Sequence, residues 1–239
     1  MENIGRFIHR KPTEIITKCL VRTNITPNQV TFLSLCVDLI AIPFFAVGGF
    51  ACLVIGAILI NFAYTLDCVD GAIAKIKNMR SEFGASFDFI SDIAVEPPIY
   101  FAITLGLYMQ FHELWIWALG FFAMYGIFMS HYILRYLDGI AISSKGYTHT
   151  TSRNFVLKTI EKISFGRINF KPVKYVYFFG GTNRLIILFG AIFFSITPPG
   201  IFNSMCLVLL FLAGIYNFHW ISQFLISLRS LRKTPTKNR

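Results

Sequence analysis

The sequence predicts an all-α, polytopic integral membrane protein, and three observations predict it. Of its 239 residues, 55% are hydrophobic and only 14% charged, well below the roughly 25% charged of ordinary globular domains. Mean hydropathy is +0.60, and 26 phenylalanines contribute to it. The basic residues fall in blocks between long apolar segments. Together these exclude a soluble globular enzyme, a disordered chain and a disulfide-stapled secreted domain. The net charge of +10 would point to nucleic acid in a soluble protein, but a chain this apolar leaves no such partner.

The elements follow in order. Residues 1–24 interleave Ile4, Phe7, Ile8, Ile15, Ile16 and Leu20 with basic residues at helical spacing, which predicts an N-terminal amphipathic juxtamembrane helix. Such a helix either lies in the lipid interface or packs on the ends of the bundle. It carries no continuous apolar core and no small-residue cleavage site, so no cleaved signal peptide is read here. Six apolar segments follow at about 30–49, 51–67, 84–109, 114–136, 176–197 and 200–227, near the length of about 20 residues that crosses a bilayer.

Nothing breaks a helix between Phe62 and Ile76, so the second segment is expected to continue out of the membrane. The fifth is interrupted by Gly180, Gly181, Asn183 and Arg184, leaving a clean apolar run only from Leu185 to Ile196. Gly48 and Gly49, and Pro198, Pro199 and Gly200, mark short turns. The linker 137–174 is polar and basic and can form a further surface helix; residues 229–239 are a basic tail. The reading is one membrane domain over 1–239, with a six-helix bundle at 26–228.

All 22 Lys and Arg lie before the first span, between the second and third, around the linker between the fourth and fifth, or after the sixth. The three opposite turns have none. By the positive-inside rule both termini and the longer loops are expected to be cytoplasmic. Cys19, Cys36, Cys52, Cys68 and Cys206 are scattered without a CxxC pair, as reduced structural thiols would be.

Only 12 residues are acidic, so their positions carry information. Asp67, Asp70, Gly71 and Ala74 share one helix face by spacings of three and four, and Asp88 and Asp92 share a face of the next helix. The polar stretch between them reads as a turn joining antiparallel helices. Four carboxylates brought together near the membrane boundary repel one another, and a hard divalent cation with oxygen ligands resolves this. Small residues at 71 and 74 leave room beside the metals for a flat or bulky ligand, which suits a nucleotide diphosphate.

The run Asp67-Cys-Val-Asp70-Gly71-Ala-Ile-Ala74-Lys75, followed eight residues later by Gly84, Asp88 and Asp92, resembles the DxxDGxxAR…GxxxDxxxD signature of the CDP-alcohol phosphotransferases at every fixed position except Lys75, where the family has Arg. Thr26-Pro27-Asn28-Gln29-Val30-Thr31 is similar to the family's TPNxxT motif before the first span. The resemblance implies transfer of a substituted phosphate from a CDP-alcohol donor to a hydroxyl acceptor with release of CMP. It also implies two divalent cations, Mg2+ or Mn2+, on Asp67, Asp70, Asp88 and Asp92. Asp92 would serve in addition as general base, Gly71, Ala74, Lys75 and Gly84 would line the CDP pocket, and the protein would be a homodimer in contact with membrane lipids.

Lys offers a point charge where Arg offers a planar fork, so weaker or differently oriented diphosphate binding is expected, with activity retained. Arg135, Arg153 and Arg184 are placed to meet a phosphorylated acceptor, although the positive-inside rule alone would also put basic residues there. The TPNQVT stretch and the basic linker look more like the inositol-phosphate branch, while glycerol phosphate, serine, choline and ethanolamine substrates stay open.

A different class, a cation transporter or channel, is kept open by Asp38 and Glu96 within spans one and three. Glu96, one turn beyond Asp92, is expected to pair with a buried His, Tyr or Arg. His131 and His219 read as core histidines, lacking the spacing of metal ligands.

Overall fold

The computed structural model describes residues 4–144, 181–200 and 203–231, and among them the ordered elements are all helices. They are α1 (Ile4–Val21), α2 (Pro27–Val47), α3 (Phe50–Ile76), α4 (Glu82–Phe111), α5 (Trp115–Ser144), α6 (Gly181–Phe193) and α7 (Ser204–Leu231).

α2 begins at a capping box. The Thr26 side chain accepts from the Gln29 amide and the Gln29 side chain accepts from the Thr26 amide, with Pro27 supplying the fixed φ that suits a first helical residue. It ends at Gly48 and Gly49, both at positive φ (+70° and +76°). α3 then runs 27 residues, about 40 Å at 1.5 Å per residue, so it outlasts the hydrocarbon core of about 30 Å and carries its last turns beyond it. This is the continuation to Ile76 that the unbroken sequence predicts. Ser81 caps α4 through the Gly84 amide (3.0 Å), and α4 closes at His112 in the left-handed region.

Among the described residues, five helices, α2 to α5 and α7, are long and apolar enough to cross a membrane. Of the fifth expected span, α6 gives 13 described residues, with Asn183 and Arg184 in its first turn. The start of that segment, 176–180, lies outside the described residues, as do Arg153 and most of the 137–174 linker. The first eight residues of that linker continue α5.

Neighbour contacts run α3 to α2, α2 to α4, α4 to α5, α5 to α7, α7 to α6 and α6 back to α3, so the six helices close on themselves; α1 rests on α3 and α6. A large cluster including Phe45, Leu53, Ile60, Ile103, Leu107, Ile127, Leu209 and Tyr216 fills the interior. A smaller one packs Ile16, Leu20 and Val21 of α1 against Leu66, Val69 and Ile73 of α3. At the α2–α4 crossing, a Cβ on Gly106 would strike the Phe45 carbonyl, so only glycine lets the two backbones approach there.

Candidate metal and catalytic site

The last turns of α3 and the first turns of α4 are joined by the turn at residues 77–81, where Asn78 takes a positive φ of 54°. The junction brings together three of the four aspartates that the spacing singled out. Ligand oxygens of Asp67, Asp70 and Asp88 all lie within 4.8 Å of one another, a grouping able to hold a metal ion. Asp92 stands one turn further along α4 and acts electrostatically on Asp67. Like charges held this close, with Asp70 only 8% exposed, are tolerable when a cation joins them.

The surroundings follow from the same two helices and α2. The Thr31 hydroxyl donates to Asp70 Oδ2 in a short hydrogen bond, so the TPNQVT stretch fixes one carboxylate of the cluster. Asn28 of the same stretch faces Gly84, where an added Cβ would stand 3.1 Å from Asn28 Oδ1. Gly71 is exposed, and a Cβ built on it would meet nothing within 4 Å, so the face beside Asp70 is open. Ala74 is half-buried and Lys75 exposed on that side. Lys77, which sequence reasoning did not single out, turns the other way. Its Nζ donates to the carbonyls of Thr23 (2.6 Å) and Ile25 (2.8 Å), tying the α1–α2 linker to the end of α3.

Beneath the cluster lies a buried polar layer. Glu96 Oε2 and His131 Nε2 form an ion pair at 2.8 Å, the histidine partner expected for Glu96. Asp38 pairs with Arg184 through two bonds of 2.9 Å each. Arg184 Nη1 also donates to the Ile60 carbonyl (2.7 Å), and the Arg184 carbonyl accepts from Asn61 Nδ2 (2.9 Å). The sequence flagged Asp38 and Arg184 separately; 146 positions apart, they carry no local signal of being partners. Arg135 sits on α5, beyond the stretch whose side chains are described.

α1 reaches this layer from the other side. His9 Nδ1 lies 2.9 Å from Thr65 Oγ1, and its ring stands edge-on to Tyr64 at 5.0 Å. Burial holds the imidazole below its usual titration range. The Gly5 amide donates to Thr182 Oγ1 at the start of α6 (3.3 Å). The outward face of the helix carries Phe7, Ile8 and Ile15, with Arg10, Lys11 and Lys18 among them.

Residues 24–196 match the family model described as CDP-alcohol phosphatidyltransferase. The chain is 29% identical over 123 residues to archaetidylinositol phosphate synthase of Pyrococcus horikoshii, covering 52% of this chain and 61% of that one. It is 28% identical over 100 residues to phosphatidylinositol phosphate synthase of Corynebacterium glutamicum, covering 40% and 44%. Both matches therefore span less than two thirds of the relative's length. The fold is similar to that of Mycobacterium tuberculosis phosphatidylinositol phosphate synthase with CDP-DAG bound, at TM-score 0.65 and 18% identity, covering 95% of this chain and 97% of that one. The same enzyme in complex with manganese and citrate gives 0.63 and 19%, with 95% and 92% covered.

Proposed function

The chain belongs to the CDP-alcohol phosphatidyltransferase family, and we propose that it transfers the substituted phosphate of a CDP-linked lipid alcohol to a hydroxyl acceptor of the inositol-phosphate kind, releasing CMP. The observation that carries this reading is the carboxylate grouping at the α3–α4 junction, with the open Gly71 face beside it. The named relatives, both synthases of inositol phosphate lipids, support the substrate class.

The residues present fit two divalent cations. Asp38 is paired with Arg184 and Glu96 with His131, and the charge of the four aspartates together would match that of two Mg2+ or Mn2+ ions. Asp67, Asp70, Asp88 and Asp92 would hold them, and when bound they neutralise the diphosphate and the charge growing on departing CMP. Asp92, one turn further along α4 than Asp88, takes the proton from the acceptor hydroxyl. Gly71, Ala74 and Gly84 shape the CDP pocket and Lys75 brings a cation to it.

The same pairs weigh against a cation path. Asp38 and Glu96, the carboxylates that kept that reading open, are both engaged by resident bases.

We place both termini and the active site on the cytoplasmic side, from the distribution of Lys and Arg, with α6 completing a sixth crossing and the whole chain one domain. In this arrangement the outward face of α1 lies among lipid headgroups, its apolar side chains in the acyl boundary and its cations on phosphates. A homodimer is the assembly we expect.

The test is CMP release by purified protein, assayed over CDP-diacylglycerol and other CDP-alcohols with inositol phosphate, inositol, glycerol phosphate and serine, in Mg2+ or Mn2+. Turnover is expected to vanish with chelator, and Asp92→Asn should lose roughly 10²–10⁴-fold. Full turnover by Asp92→Asn would remove the base assignment.

A further inference from the structure

Arg184 is only 7% exposed and Asp38 only 2%. They meet fork to fork, Nη1 on Oδ1 and Nη2 on Oδ2, in the bidentate geometry by which a guanidinium recognises a carboxylate or a phosphate. A third bond, from Nη1 to the Ile60 carbonyl, and the Tyr64 ring 5.8 Å from Cζ complete its surroundings. The face that could grip a phosphate is already filled by a carboxylate of the chain itself. For an acceptor phosphate to take that place it would have to break both bonds, leave the buried Asp38 carboxylate without a partner and lie beside it as a like charge.

We infer that Asp38 is a specificity-determining residue, which by holding the fork of Arg184 withholds that guanidinium from any phosphate on the acceptor. Arg184 is then a positioning residue. Its carbonyl is held by Asn61 and its side chain by Ile60, about two turns before Asp67, so it braces the helix that carries the cluster. The inference rests on the transferase reading of the same site and sharpens its substrate class.

The experiment uses the full chain in detergent at fixed Mg2+, with inorganic phosphate titrated as the probe and thermal unfolding as the readout of binding. Arg184→Lys should respond to phosphate as the wild type does. Asp38→Ser and the isosteric Asp38→Asn free the fork, so phosphate should bind roughly fivefold or more tighter, as expected for regained charge-assisted bonds, and Asp38→Ser combined with Arg184→Met should lose the gain. In CMP release, Asp38→Asn should lower KM for a phosphorylated acceptor relative to its dephosphorylated counterpart while donor KM stays put.

A selective loss of phosphate binding in Arg184→Lys, or no gain in an Asp38 variant that keeps a sharp unfolding transition, would overturn the inference. Absence of CMP release from every donor and acceptor would sink the transferase reading instead, and the phosphate titration would still decide the role of Asp38.

Discussion

Thr31 and Lys75 are the two side chains whose contribution to the site is most exposed to test. Thr31 aims the Asp70 carboxylate, and groups that orient metal ligands typically cost 10–100-fold in metal affinity when removed. Thr31→Val keeps the shape and removes the hydroxyl, so the Mg2+ or Mn2+ concentration for half-maximal CMP release should rise by about 10-fold or more, with turnover at saturating metal largely kept. Lys75 is exposed beside the open face, free to meet a diphosphate as a point charge. Lys75→Arg should therefore lower KM for the CDP-alcohol, and an unchanged KM would show that residue 75 does not touch the diphosphate. The acidic spacing makes the cluster of Asp67, Asp70 and Asp88 legible in the sequence. The hydroxyl of Thr31 is not, because its role depends on how α2 crosses α3.

α1 is the element whose attachment is most sensitive to pH. His9 is its buried anchor, wedged against Tyr64 and Thr65 just ahead of Asp67. Burial lowers its pKa on folding, so the folded chain binds fewer protons than the unfolded one near and below 6.5, and stability rises with pH there. The contribution is complete above about 6.5 and is lost as pH falls towards the depressed folded value. Thermal midpoints of wild type should therefore drop more between pH 7.5 and 5.5 than those of His9→Gln, which keeps a hydrogen-bonding side chain without the titration. The helix itself was readable from its periodicity. Its docking was legible only in part: Ile16 and Leu20, which pack on α3, belong to the apolar pattern, whereas Gly5, His9 and Thr17 are buried small or polar residues that no apolar pattern selects.

For the whole molecule, the asymmetry of charge makes a prediction about orientation. Cys19 lies exposed on α1, so in a variant keeping it as the sole cysteine, a membrane-impermeant maleimide should label inside-out vesicles and spare right-side-out ones. Labelling from the opposite face would invert the topology. Long apolar runs and their breakers disclosed the helical class and most of the spans, because each helix must satisfy its backbone within itself in lipid. The segment that Asn183 and Arg184 interrupt is described only from Gly181, and those two residues are buried in the interior. Pairing across the buried polar layer depends on the closed circuit of helices, which no local pattern encodes.

The 146 positions between Asp38 and Arg184 also set an order of events during synthesis. The cluster of aspartates is complete once α4 has emerged, but the cation that neutralises Asp38 belongs to α6, the sixth helix in chain order. Until then α2 carries an uncompensated carboxylate among apolar side chains, so its final seat in the bilayer must wait for a partner made much later. The buried pair is therefore closed from the C-terminal half, by the guanidinium that α6 brings back to the first span.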